Sequence, residues 1–159
     1  MGAAIKAGVI LGVAVTLVSA LLIGSGMHQN LVVNGVVSLV IYIGLNIGLL
    51  IWALRKTAAD SGYGKQLLNA LIVGVVGSVL IFAGSYLLLG VIFPDAVAET
   101  RDVAVVFLEN ANVPEQQLAA QIAKLEAATP VSQSLAGVWG TLGTTLIVGA
   151  VAAIFIRRK

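Results

Sequence analysis

The chain has 159 residues, of which 59% are hydrophobic and only 10% charged. A water-soluble domain carries about a quarter charged residues, so the composition excludes an ordinary soluble fold and points to a bilayer. A net charge of +2 gives no case for a nucleic-acid partner. With no cysteine and one histidine, His28, the chain also lacks disulfides, thiolate chemistry and a His-built metal site.

After a head with one cation, Lys6, the first apolar run covers residues 7–24. Val18-Ser19-Ala20 looks like a leader-cleavage site. The run is longer than an h-region of about 7–15 residues, however, and the chain begins at Met1. It is therefore expected to be the first transmembrane helix. The turn at 24–34 is rich in Gly and Asn and holds His28, whose plain reading is a polar loop-tip residue without partners. The second run, 35–54, is apolar apart from Ser38, Tyr42 and Asn46, and Arg55-Lys56 is expected to stop it. A short loop with the turn signal Asp60-Ser61-Gly62 follows.

Residues 67–93 form the longest run, about 27 residues without a charged side chain. Such a run spans a hydrocarbon core of roughly 30 Å with some tilt. Pro94-Asp95 ends it, and the segment 94–134 is polar and acidic. Val103, Val106 and Phe107 share a helical face, which predicts a helix over about 95–110. Asn112-Val113-Pro114-Glu115 reads as a helix start with Asn112 as N-cap and Pro114 in the first turn. Leu118, Ile122 and Leu125 give the second helix its apolar face, and Thr129-Pro130 is expected to end it. Two such helices predict an amphipathic hairpin that packs on itself or lies on the membrane. The fourth run, 135–156, ends at Arg157-Arg158-Lys159.

Seven of the nine cations, Lys6, Arg55, Lys56, Lys65, Arg157, Arg158 and Lys159, fall on one side of this arrangement with Asp60. Arg101 and Lys124 fall on the other with six acids, so the two sides carry +6 and −4. The positive-inside rule then predicts cytoplasmic termini and an extracytoplasmic hairpin.

No Asp, Glu, Lys, Arg or His lies inside the four runs, which argues against a proton relay or a charge-coupled pump. Asn46 is the most polar side chain near mid-membrane. It reads either as a ligand for a solute or as an interhelical hydrogen-bonding residue beside Gly44 and Gly48, the second being preferred. Gly137, Thr141, Thr145, Gly149 and Ala153 make a stripe of small residues at four-residue spacing. That stripe suits close helix packing within the bundle or a docking face for another protein. Asp95, Glu99 and Asp102 are close enough for a weak cation contact, but acids in the first turns of a helix are accounted for by its dipole. No catalytic grouping and no phosphate-binding loop is found, so no enzyme, cofactor or metal is expected.

Several short motifs resemble a family of small bacterial membrane proteins, domain of unknown function 4199. They are Gly62-Tyr63-Gly64-Lys65-Gln66 before the third run, Ile92-Phe93-Pro94-Asp95 at its exit, and Val113-Pro114-Glu115-Gln116 in the acidic insert. Thr129-Pro130 and the glycine-containing last run ending in Arg157-Arg158-Lys159 complete them. The resemblance covers most of the chain. It implies four spans and an inner-membrane location, and it brings no activity and no functional residue.

The expected architecture is an all-α integral membrane protein, one domain of four transmembrane helices with an extracytoplasmic hairpin between the third and fourth. The expected function is a non-catalytic structural or accessory subunit of a larger bacterial inner-membrane complex, in contact with membrane lipid and with other subunits or copies of itself. The alternative is a small transporter or channel for a neutral or apolar solute, its path lined by Tyr42, Asn46, Ser78, Ser85 and Tyr86.

Overall fold

A computed structural model describes residues 1–111 and 114–156. Among them are six α-helices and no strand: α1 Gly2–Gly24, α2 Leu31–Thr57, α3 Tyr63–Leu87, α4 Ala96–Asn110, α5 Glu115–Glu126 and α6 Pro130–Phe155. Four of these, α1, α2, α3 and α6, are long and apolar enough to cross a membrane. Their outward side chains are apolar, as with Leu39, Val79, Trp139 and Ile147, each more than 60% exposed. Only a hydrocarbon solvent makes that surface favourable over so many residues.

The helices begin and end outside the apolar runs because capping chemistry, rather than hydropathy, sets their ends. Asn30 caps α2, its side chain accepting from the Val33 N–H at 3.1 Å, so this helix starts at Leu31 rather than residue 35. Thr129 caps α6: its hydroxyl accepts from the Ser132 N–H at 3.1 Å, and Ser132 Oγ accepts from the Thr129 N–H at 2.8 Å. Thr129-Pro130 therefore opens the last span instead of merely closing α5, with Pro130 at the first helical position, where its missing N–H costs nothing. Arg55 and Lys56 do not stop α2; they lie in its last turn, where cations suit the helix dipole. At the far end of α3 the chain passes through a wider turn, Leu88–Ile92, in which the Phe93 N–H donates to Leu88 O at 2.7 Å. Pro94 then prevents any further helical bond. Pro114 immediately precedes α5. The predicted cap Asn112, with Val113, and the closing Arg157, Arg158 and Lys159 lie outside the described residues.

Helix α3 is the centre. One face meets α1, where Cβ atoms built on Gly8 would fall 2.7 Å from Val76 Cβ and 2.9 Å from Val73 O; Gly12 sits equally close to Leu80. The other face meets α6, where a Cβ on Gly149 would lie 2.5 Å from Ala70 Cβ and one on Gly74 would strike Thr145. Glycine on alternate sides of each interface lets three backbones approach to a distance no side chain permits. Helix α2 is held differently. Its buried residues, Asn46, Leu50, Ala53 and Leu54, all lie in its second half.

That second half is anchored by Gln66, which is fully buried near the start of α3. Its Nε2 donates to Leu54 O and to Ile156 O, both at 2.8 Å, and its Oε1 accepts from Thr57 Oγ1 at 2.8 Å. Asn69 Nδ2 adds a bond to Thr57 Oγ1 at 3.1 Å. One amide thus satisfies orphan carbonyls at the ends of two helices at once.

Replacing Gly149 by Ala forces a methyl into the α3–α6 contact and should lower stability by about 1–3 kcal/mol. The Gly44→Ala change, at a position where nothing lies within 4 Å of a new Cβ, should be neutral or stabilising by up to about 1 kcal/mol. Thermal unfolding in detergent, followed by circular dichroism, compares the two.

Candidate functional site

Because the first half of α2 buries none of its residues while α1, α3 and α6 pack closely, a space opens between them. It is a cavity of about 610 Å³ within the bundle half that carries the hairpin. Its floor is formed at the level of Leu11, Asn46 and Thr141, and its mouth at His28, Gln133 and Thr100. Below the floor the bundle is solid, filled by Ala4, Ala7, Leu50, Ala53, Leu54, Ala70 and Val73. Between α2 and α6 the rim residues Leu39, Ile43 and Gly140 are exposed, so the cavity also opens sideways.

The walls are mainly apolar, with neutral polar groups concentrated on α2. Asn34, Ser38, Tyr42 and Asn46 all line the space, and their four-residue spacing places them on one face of the helix. Ser38 Oγ donates to Asn34 Oδ1 at 3.3 Å. Ser19 Oγ, on α1, donates to Val15 O at 2.9 Å and lies 2.8 Å from Tyr42 Oη. The single Ser19 hydrogen is thereby used, so Tyr42 is the donor of the second bond and keeps its oxygen lone pairs.

Two polar atoms in these walls are buried without a hydrogen-bond partner among the described residues: Asn46 Oδ1 and His28 Nδ1. Their residues are only 4% and 7% exposed. An unsatisfied buried polar atom costs about 1–3 kcal/mol, and both of these residues line this ligand-sized cavity. Among the described residues Asn46 Oδ1 makes no interhelical hydrogen bond, although the sequence favoured such a bond.

His28 also departs from its expectation. It is not a free loop tip. Nε2 lies 2.8 Å from Glu99 Oε2, and Gln29 Nε2 donates to the same oxygen at 3.0 Å. This latch ties the α1–α2 turn to the first turn of α4 and seats the hairpin over the cavity mouth. The Gln29 amide and the His28 ring, with its charge, hold the Glu99 carboxyl below its ordinary value. Glu99 thus has a specific partner beyond the helix dipole. No group of three metal-ligating side chains occurs among the described residues.

The other residues singled out by sequence divide clearly. Tyr42, Asn46 and Ser85 line the cavity, whereas Ser78 is buried elsewhere, donating to Val138 O at 3.4 Å. Tyr86 is exposed and stacks on Phe82, ring centroids 6.3 Å apart. Thr141, Thr145, Gly149 and Ala153 are buried inside the bundle, and Gly137 faces Ile81, so this stripe is turned inward; Gly44 and Gly48 are exposed. Val106 and Phe107 of the hairpin are exposed, while Leu118, Ile122 and Leu125 are half-buried.

The chain matches, over residues 6–158, the family described as protein of unknown function DUF4199. It belongs to that family. No curated protein and no solved structure matches it. Within this DUF4199 chain, sequence reasoning missed the clamp at Gln66 and Asn69 and the cavity roles of His28, Asn34, Thr100, Gln133 and Thr144. The four-residue recurrence of Asn34, Ser38, Tyr42 and Asn46 was the available signal.

Two outcomes follow. Asn46→Leu should raise the stability of the ligand-free protein by about 1–3 kcal/mol by removing the unpaired amide, read as a higher melting temperature in detergent. The lowered Glu99 value means that the latch contributes fully above the ordinary carboxylate range and is lost as pH falls through the lowered value. Amide exchange in α4 should therefore rise only on acidification below the ordinary carboxylate range, and Glu99→Gln should abolish that step.

Proposed function

We propose that this protein binds and carries a neutral, mainly apolar solute in a bacterial cytoplasmic membrane. The cavity between α1, α2, α3 and α6 carries the proposal: its walls are apolar, its polar groups uncharged apart from His28 at the mouth, and two of its polar atoms lack partners. The side opening between α2 and α6 suits a solute that reaches the site through the bilayer. The closed floor suits a carrier with one face accessible at a time better than an open channel. No catalytic role is proposed.

The orientation proposed is cytoplasmic termini and an extracytoplasmic hairpin. It rests on the charge asymmetry, with Lys6, Arg55, Lys56 and Lys65 at the end opposite α4 and α5. The Gln66 bonds place the ends of α2 and α6 together, and the His28–Glu99 bond places the α1–α2 turn beside the hairpin, so the two charge groups belong to opposite ends of the bundle.

An accessory role in a larger membrane complex is the second proposal. It rests on the outward face of α2, where Gly44 and Gly48 leave room for a partner backbone. A stoichiometric membrane-protein partner retained in mild detergent would support it.

The carrier proposal is tested in proteoliposomes with a panel of neutral solutes. Flux above protein-free vesicles is expected for at least one, and Asn46→Leu should abolish it. Absence of flux across the panel would overturn the carrier reading.

A further inference from the structure

We propose that the solute is a single-chain lipid with an uncharged, hydroxyl-bearing head, bound with its head against the polar face of α2 and its chain leaving sideways between α2 and α6. This deepens the carrier proposal and rests on its reading of the cavity as a ligand site.

The unpaired groups define the head. His28 Nε2 faces the Glu99 carboxylate at 2.8 Å and must carry a proton to bond it. Nδ1 then accepts when the ring is neutral and donates when it is charged. Asn46 Oδ1 is an acceptor, and Tyr42 Oη, having given its hydrogen to Ser19, is one too. The Nδ2 groups of Asn46 and Asn34 add donors to the same wall, and a hydroxyl, which both donates and accepts, can meet either kind of group. Asn46, Tyr42, Ser38 and Asn34 rise one turn apart, so a hydroxylated head finds successive partners along the same face of α2.

Charge excludes the commonest lipid head. Among the described residues, no Lys, Arg, Asp or Glu lines the cavity. A phosphate placed there would lose its hydration with no Lys or Arg to replace it, and His28 is already paired with Glu99. The walls exclude the two extremes of polarity as well. A small polyol without a chain would lie against Leu11, Val15, Leu22, Ile81 and Leu88, and a pure hydrocarbon would leave Asn46 and His28 unpaired. An amphiphile meets both demands. The exposed rim at Leu39, Ile43 and Gly140 gives its chain a path into the acyl region of the bilayer.

The test is a binding titration of the full-length protein in detergent, read by native mass spectrometry and by thermal shift. Three probes share an oleoyl chain: monoolein, with two hydroxyl donors; methyl oleate, which only accepts; and oleoyl lysophosphatidic acid, which is anionic. Monoolein should bind at least about tenfold more tightly than either of the others, the scale of one lost hydrogen bond. Asn46→Leu should weaken monoolein binding by about tenfold while the ligand-free variant melts no lower than the parent protein. Gly44→Ala, on the outer face, should bind as the parent does. Comparable binding of methyl oleate or of the phosphate lipid would overturn the proposal, as would unchanged monoolein binding in Asn46→Leu. The two proposals fail separately. Monoolein binding without solute flux removes the carrier and leaves this site, whereas flux without monoolein binding removes this site and leaves the carrier.

Discussion

Close approach of the α3 backbone to α1 on one side and to α6 on the other is the constraint on which the rest depends. Gly8 and Gly12 of α1, and Gly149 of α6 with Gly74 of α3, bring these helices to distances that a single added methyl would violate. In a bilayer no hydrophobic force draws helices together, so contact at this range is the main source of packing energy. With both faces of α3 occupied, α2 cannot enter the same interdigitation along its whole length. It is fastened at one end, where Leu50, Ala53 and Leu54 reach the core and Gln66 bonds the Leu54 carbonyl. Its other half stands off, and the cavity is the space left behind.

The polar side chains inside the bundle fall into two groups with opposite energetics. Gln66, Thr57 and Asn69 form a closed network in which Gln66 fills both donor positions and its acceptor. Satisfied in this way, a buried amide joins two helix ends to a third helix. Asn46 and His28 are buried to a similar degree but keep an atom without a partner. At about 1–3 kcal/mol for each such atom, the second group is a burden that the close contacts around α3 must offset. A ligand that completes those bonds would remove it, which is why the polar wall of α2 points to binding more than to packing.

The hairpin is joined to this arrangement through few polar contacts, chiefly those of Glu99 with His28 and Gln29. Helix α5 buries none of its residues, and Val106 and Phe107 of α4 are exposed. At an interface between water and lipid an amphipathic segment gains by resting its apolar face on the bilayer. The latch therefore joins two adjacent features, the turn that holds His28 and the helix that roofs the cavity mouth, while leaving the outer helix free of the core.

Much of the architecture was determined by the sequence alone. Four long apolar runs, without a charge in their interiors, specify four membrane-spanning helices because no other solvent tolerates them. The capping residues Asn30 and Thr129 set where two of those helices begin, although hydropathy by itself placed both starts too late. The small-residue spacing in α6 announced close packing. What sequence could not decide was which surfaces those residues would face, since a small-residue stripe reads the same whether it meets another helix of the chain or another protein. It also could not show that Asn46 would stay unpaired, that Gln66 would be fully satisfied, or that His28 would meet Glu99 across 71 positions of sequence. Those outcomes depend on which side chains the packing of α1, α3 and α6 brings within about 3 Å of one another, and that is settled only when the helices are in place.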